Sequence, residues 1–205
     1  MKKGILIVLS GPSGVGKGTI CNLLRKRNPL LHVSISMTTR IPRSGELDGV
    51  HYYFVTRHYF QKMIQEEKLL EWACVYDHFY GTPLDKVQKK INAGIDVILE
   101  IDTQGAFQVR RLYPEAVLIF LLPPSLQELK RRITKRGSEK DEELKKRLLS
   151  ACSEVRQAAK YDYIVVNDDI NEAVENIKAI ISSEKCRSVR LQQFLKEFCL
   201  QEENL

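Results

Sequence analysis

Hydrophobic positions along the chain follow two rhythms. Four short stretches, 5–9, 97–101, 117–122 and 163–166, are apolar almost without interruption and rich in β-branched residues. Each leads into a segment whose apolar residues recur at helical spacing. That pairing predicts an α/β core, with parallel strands buried on both faces and covered by helices. Helical spacing falls near 17–27, 84–93, 104–112, 125–136, 141–159, 170–182 and 187–199. Between 35 and 83 the rhythm changes. Half-alternating strand patterns at 51–55 and 69–73 flank one helix near 57–67, which predicts a small mixed lobe inserted into the core. A second insertion candidate is the charged stretch 131–147, with its Arg136-Gly137-Ser138; it reads either as a solvated helical face or as a lid that moves. There is no internal repeat or low-complexity linker.

Length and composition narrow the class. A chain of 205 residues, 43% hydrophobic and 28% charged, suits one compact domain or one core carrying small lobes. Its apolar runs fall short of the roughly 20 residues a membrane helix needs. Met1-Lys2-Lys3 before 5–9 resembles the start of a signal peptide, but the run is short and enters a glycine-rich loop. It predicts a first strand and a cytoplasmic protein. The cysteines (Cys21, Cys74, Cys152, Cys186, Cys199) are scattered and lack any Cys-x-x-Cys, which predicts free thiols and neither a disulfide framework nor a zinc site. The net charge of +6 fits a nucleic-acid binder or a pocket for polyphosphates. Basic residues are interleaved with acidic ones, as in 142–147, and no basic tail or RNA-binding signature stands out, which favours the pocket.

Candidate chemistry begins where the first run ends. Ser10-Gly11-Pro12-Ser13-Gly14-Val15-Gly16-Lys17-Gly18-Thr19 joins a strand to a helix. Glycines let the backbone curl so that several N–H groups point at one spot, the helix adds its positive dipole end, and Lys17 supplies a cation for the β- and γ-phosphates. Gly18 stands where the usual loop has a Ser or Thr that ligates Mg²⁺. A glycine has no such oxygen, so the expected Mg²⁺ is held by nucleotide oxygens and water, with carboxylates acting through that water. Gly-Lys-Gly-Thr resembles the loop of adenylate kinases.

The run 34–46 then places Arg40 and Arg43 on either side of Pro42. Two arginines so spaced either decorate an ordinary surface loop or converge on one anion, for which their planar forks are suited. Here the chain resembles the guanylate kinase family. The resemblance runs from Ile5 to about Asn171 through several motifs in order: Gly11-Pro12-Ser13-Gly14-x-Gly16-Lys17, then Ser36-x-Thr38-Thr39-Arg40-x-Pro42-Arg43-x-Gly45-Glu46, then Glu71-Trp72-Ala73. It continues through Tyr80-Gly81-Thr82, Ile101-Asp102-x-Gln104-Gly105 and Val166-Asn167-Asp168-Asp169.

The resemblance implies an α/β fold with a P-loop three-layer core around a parallel sheet, an inserted mixed GMP-binding lobe and a helical lid. Its parts would be core 1–34, 84–126 and 151–205, lobe 35–83 and lid 127–150. It further implies that Arg40, Arg43, Tyr52 and Tyr80 grip the GMP phosphate, while Ser36, Glu71, Thr82 and Asp102 face the guanine. Arg132, Arg136 and Arg147 would close on the ATP phosphates. Loop residues 11–19, with Val15 and Thr19 among them, would bind ATP, and Asn167 and Asp168 would lie near the adenine. With Lys17 and Arg40, the lid arginines would form the catalytic set. The implied reaction moves the γ-phosphoryl of ATP to GMP, and to dGMP, in purine nucleotide metabolism.

Residue chemistry fits that activity. Guanine offers two adjacent donors, N1–H and N2–H₂, to one carboxylate such as Glu71, whereas adenine N1 would set a lone pair against it; such sites reject the wrong analogue by roughly 10⁴–10⁵. A phosphate monoester is largely a dianion at neutral pH, so no general base is needed. None of the hydrolase triad, His-Glu-x-x-His or His-Arg-Asp patterns occurs, and the four histidines lack metal-ligand spacing. Glu100 and Asp102, ending an apolar run, are candidates to order water around Mg²⁺ and to face the substrate. The competing readings are an AMP kinase, a catalytically silent peptide-binding module and an RNA binder. The segment after 183 predicts an amphipathic helix packing on the core or on another subunit, so monomer and homodimer both fit.

Overall fold

The computed structural model describes residues 3–75, 77–135 and 141–202. The chain opens with β1 (Leu6–Ser10), the glycine loop and α1 (Lys17–Arg27), then a two-residue strand β2 (His32–Val33). The inserted lobe follows: β3 (Met37–Thr38), β4 (Tyr53–Phe54), α2 (Arg57–Gln65), β5 (Leu69–Val75) and β6 (His78–Pro83). The chain returns to the core through α3 (Leu84–Asn92), β7 (Val97–Glu100), α4 (Thr103–Leu112) and β8 (Val117–Leu122). Helices α5 (Leu126–Lys135) and α6 (Asp141–Val155) precede β9 (Tyr163–Val166), α7 (Ile170–Lys185) and α8 (Gln192–Glu202).

The core sheet has the order β2-β7-β1-β8-β9 and every neighbouring pair is parallel. Alternation along β1 shows why its run is unbroken. Ile5, Ile7 and Leu9 pack with Ile20, Leu24, Val174 and Ile177 of α1 and α7, while Leu6 and Val8 pack with Val87, Ala106 and Val109 of α3 and α4. Both faces are covered, so both positions of the two-residue period must be apolar. The layers are therefore helix, sheet, helix. A sheet of this kind gathers ligands at the carboxyl ends of its strands. The glycine loop leaves β1 there, Glu100 ends β7, α5 follows β8 and Asn167 follows β9.

The lobe is a second sheet of order β4-β3-β6-β5, with β3–β6 and β5–β6 antiparallel. It has its own core of Met37, Phe60, Met63 and Leu69, and Thr56 caps α2 by accepting from the Tyr59 amide. Gln108 of α4 ties the lobe to the core, accepting from the Trp72 amide and donating to the Trp72 carbonyl at 2.7 Å. Helices α5 and α6 share a third small cluster, Leu129, Ile133 and Ala151 with Leu144 and Leu148.

Two helical expectations end differently. The segment 141–159 stops as an α-helix at Val155 and tightens into a 3₁₀ turn, Ala158–Lys160, where Gln157 N–H bonds back three residues to Glu154 O. The segment 187–199 is broken at Leu191 after the 3₁₀ turn Ser188–Arg190. There Arg190 is drawn to buried Glu184 and to the Glu115 carbonyl, which turns the chain before α8 begins. Among the described residues no helix is long and apolar enough to cross a membrane, and the five cysteines are free.

Candidate active site

The phosphate loop owes its shape to three glycines in the left-handed half of backbone space, Gly11, Gly14 and Gly16. Space forbids side chains at these positions as well. A Cβ on Gly11 would stand 2.3 Å from the Leu121 carbonyl oxygen, and one on Gly16 2.7 Å from Asn167 Nδ2. Gly16 is also the N-cap of α1, so the first amides of that helix have no side-chain acceptor from the cap. Such amides and the helix dipole make an anion site.

Lys17 curls over the loop, donating to the carbonyls of Gly11 and Pro12. Its ammonium is enclosed, and desolvation lowers its pKa; Glu100, Glu154 and Asp102 oppose that shift. Asn167 is buried and donates to Val15 O at 2.7 Å. It therefore fixes the loop itself, while Asp168 is exposed in the groove between β9 and α7. Thr19 is exposed on the first turn of α1.

Arginines of α5 and α6 reach the loop. Arg132 donates to Val15 O at 3.3 Å and Asn167 O at 3.1 Å, and Glu128 holds it through Nε at 2.7 Å. Arg131 and Arg132 together push the Glu128 carboxyl down to about 2. Arg147 donates to Ser13 Oγ at 2.8 Å. Arg136 lies outside the described residues.

Across the cleft, Glu71 is buried on β5 and Thr82 on β6. The Thr82 hydroxyl donates to Glu71 Oε1 at 2.6 Å, and Ser36 Oγ lies 3.5 Å from Thr82 Oγ1. Burial pushes the Glu71 carboxyl up to about 7, with the Thr82 bonds opposing. Asp102 caps α4, its Oδ1 accepting from the Gly105 amide at 2.8 Å, and its charge acts on Glu71.

Arg40 is buried between Tyr52 and Phe54 rings, 5.6 and 5.9 Å from their centroids. It bonds the Ile41 carbonyl at 2.7 Å and Glu46 at 2.9 Å, while its Nε has no partner among the described residues. Glu46 Oε2 also accepts from the Arg43 amide at 2.7 Å, so one carboxylate braces the stretch that presents both arginines. The Arg43 side chain is exposed. Tyr52 and Tyr80 stack edge to face at 6.0 Å. Burial pushes Tyr52 up to about 12, and the next contribution comes from Glu100.

The charge of Glu100 thus acts on both Lys17 and Tyr52. The glycine loop of the core and the arginine–tyrosine cluster of the lobe are coupled to one exposed carboxylate. The family model for guanylate kinase matches residues 3–184. The chain belongs to the guanylate kinase family. A guanylate kinase of Caldanaerobacter subterraneus subsp. tengcongensis is 55% identical over 186 residues, covering 91% of this chain and 90% of its own. One from Shouchella clausii is 53% identical and covers 96% of each chain. The crystal structure of guanylate kinase from Anaplasma phagocytophilum superposes with a TM-score of 0.80 at 34% identity, covering 95% of both chains.

Three carboxylates in this guanylate kinase fold escaped the sequence reading. Glu46 was visible only as a motif member; its spacing of six from Arg40 was the available signal. Glu128 reads as a helix-surface charge until Arg131 and Arg132 close on it. Glu154 lies in a charged helix, and nothing in its local pattern marks its partial burial.

Proposed function

We propose that this chain transfers the γ-phosphoryl group of ATP to GMP, giving ADP and GDP, in the cytoplasmic purine nucleotide pool. The observation that carries this reading is that the glycine loop holding Lys17 and the lobe cluster of Arg40 and Tyr52 both lie within reach of the Glu100 charge. Two phosphates held there approach each other across the cleft. In this reading Arg40, Arg43, Tyr52 and Tyr80 hold the acceptor phosphate. Arg40 is well suited, because its buried Nε–H has no partner among the described residues and a phosphate oxygen satisfies it.

Ionised Glu71 accepts from guanine N1–H and N2–H₂, with Ser36, Thr82 and Asp102 around the base. The acceptor arrives as a dianion and needs no base. The protein's work is to screen two polyanions and hold them in line, through the loop amides 11–19, Lys17, Arg132 and Arg147; Arg136 is assigned the same role. Asn167 acts by shaping the loop, and Asp168 remains assigned to the adenine side. dGMP carries the same base and phosphate and is expected as a second acceptor.

Mg²⁺ fits the residues present. Glu100 Oε1 would be 3.4 Å from a Cβ on Gly18, so its carboxylate stands where the hydroxyl residue of the usual loop projects. Oxygen donors suit this ion, and Asp102 keeps Oδ2 clear of its capping bond. Glu100 and Asp102 would hold Mg²⁺ through water, and the ion would supply neutralisation of the nucleotide's phosphate charge.

The test is a panel of GMP, dGMP, AMP and UMP with ATP and Mg²⁺, run beside Lys17→Met. GDP formation that Lys17→Met lowers by about 10²–10³-fold is expected. No GDP, or equal use of AMP, overturns the reading.

A further inference from the structure

Strand β5 is an outer strand of the lobe sheet, and among the described residues β6 is its one strand partner. An outer strand leaves every second residue with its main-chain N–H and C=O pointing away from the sheet. At Trp72 both groups are met. Gln108 of α4 accepts from the Trp72 amide at 3.2 Å and donates to the Trp72 carbonyl at 2.7 Å, so one side-chain amide stands in for a neighbouring strand. The Trp72 ring packs edge to face on Phe79, 6.0 Å between centroids, which joins it to the lobe's own core.

The place of this clasp matters because of what precedes it. Pairing of β5 with β6 is regular from Glu71 onward, but its register shifts between Leu69 and Glu71. An irregularity of this kind re-aims the side chains beside it. Leu69 packs in the lobe's cluster and Leu70 in the core's, and Glu71 is buried as well, so the usual alternation breaks where the carboxylate must be aimed. Pairing with β6 leaves that aim to a local irregularity. Gln108 pins the next residue along.

Helix α4 meets the strand turn by turn. Asp102, Gly105 and Gln108 follow one another at spacings of three and are neighbours on the helix surface. Asp102 Oδ1 accepts from the Gly105 amide at 2.8 Å, and Gly105 lies so close to β5 that a Cβ there would stand 2.4 Å from Glu71 Oε2. One turn on, Gln108 holds Trp72. The missing side chain at Gly105 permits the close approach, and the two Gln108 bonds keep it.

We propose that Gln108 is a specificity-determining positioning residue: by clasping both main-chain groups of Trp72 it fixes where the Glu71 carboxylate points, and so how well the site tells a 2-amino purine from one without that group. This deepens, and rests on, the reading in which Glu71 accepts from guanine N1–H and N2–H₂. Hydrogen bonds weaken steeply with misalignment, so a carboxylate turned out of line with the base loses one of the two donors. Inosine monophosphate keeps N1–H and lacks the 2-amino group. Its use relative to GMP therefore reads the second bond alone.

The experiment measures kcat/KM for GMP and for inosine monophosphate, with ATP and Mg²⁺ saturating, in wild type, Gln108→Leu, Glu71→Gln and the double variant. Leucine keeps most of the bulk of glutamine and makes neither bond. In Gln108→Leu the preference for GMP is expected to fall about five- to tenfold, as loss of one hydrogen bond would cause. The fall should lie in the KM for GMP, with kcat and the KM for ATP within about twofold of wild type. The Trp72 amide should exchange with solvent deuterium at least about tenfold faster. In the Glu71→Gln background the same substitution should change the preference less than about twofold, because its effect passes through the carboxylate. Gln108→Glu keeps an acceptor for the Trp72 amide but sets a carboxylate against its carbonyl. It should lower the preference too, and supplies the reading if the leucine variant does not fold. An unchanged preference, with or without a lower thermal midpoint, overturns the proposal, as does an equal loss in both backgrounds. Full GMP preference in Glu71→Gln overturns the functional reading instead, which keeps the two failures apart.

Discussion

The Thr82 hydroxyl donates to Glu71 Oε1 at 2.6 Å in the floor of the inserted lobe, where both side chains are buried. This bond fixes the carboxylate's rotamer and leaves its other oxygen, Oε2, against Gly105 at the start of α4. Glu71 belongs to β5, Thr82 to β6 and Gly105 to α4 of the core, so this carboxylate is positioned by three elements.

A pH dependence follows from the burial of Glu71. Its carboxyl is raised from 4.5 to about 7, so at pH 6 most molecules hold it protonated. In the proposed function guanine binds the ionised form. The KM for GMP should therefore fall about tenfold from pH 6 to pH 8, and Glu71→Gln should flatten that profile while eroding preference for GMP over AMP. The stability effect has the opposite sense. A raised carboxyl favours the folded state below pH 4.5, and that advantage, on the order of 3 kcal/mol, is lost as pH rises through about 7. Steady-state kinetics on both acceptors and denaturant titrations at pH 5 and 8 check the two signs. A KM for GMP that is flat between pH 6 and 8 contradicts the assignment of Glu71.

Gly105→Ala sets helix propensity against space. Alanine is the better helix former, though in this first turn the gain is less than the roughly 1 kcal/mol of a helix interior. Its Cβ, however, would stand 2.4 Å from Glu71 Oε2, a contact that must be relieved by moving the carboxylate or α4. We expect no gain in thermal midpoint and a KM for GMP raised at least about tenfold, with the KM for ATP changed little. A stabilised variant with wild-type GMP kinetics would show that Glu71 has room to move without consequence.

The loop side makes a separate prediction. Asn167 Nδ2 donates to Val15 O at 2.7 Å from a buried position. Asn167→Ala removes that bond, and a buried bond of this kind contributes about 1–2 kcal/mol. The KM for ATP should rise several-fold while the GMP:AMP ratio is unaffected. Gly16→Ala should be worse, since it combines a φ of 105° with a 2.7 Å approach to the same amide group. Thermal melts and ATP kinetics on both variants rank them; Asn167→Ala as the more damaging change would contradict the geometry.

What the sequence reveals here depends on how local the cause is. Strands β1, β7, β8 and β9 are legible because burial on both faces writes an unbroken apolar run. Strands β2, β3 and β4 are two residues long, too short to carry a period, and exist only through pairing with distant partners such as β7 and β6. At the site, the glycine loop is legible because its curl is local. Glu71 is legible by chemistry, but the pairing with Thr82 and the contact with Gly105 are tertiary. Glu154 was illegible for the same reason: its helix reads as a charged surface until α6 is laid on the loop. Asn167 sat in a motif, yet its bond to Val15 spans 152 residues and no local pattern encodes it.

Gly18 is the remaining departure from the usual phosphate loop, and its neighbour gives the reason it is tolerated. A Cβ there would lie 3.4 Å from Glu100 Oε1 and 3.6 Å from Oε2, ordinary contact distances, so Gly18→Ser fits without moving the helix. Serine is the better helix former by about 0.5 kcal/mol, and stability should rise slightly. Its hydroxyl would add the direct oxygen ligand that this loop lacks, alongside Glu100. We therefore expect the Mg²⁺ concentration for half-maximal rate to fall several-fold in Gly18→Ser and to rise in Glu100→Gln, with the double variant between them. Mg²⁺ titrations of the initial rate at fixed ATP measure all three. If neither single change moves the Mg²⁺ requirement, Glu100 has no part in holding the ion, and its carboxylate serves only to set Lys17 and Tyr52.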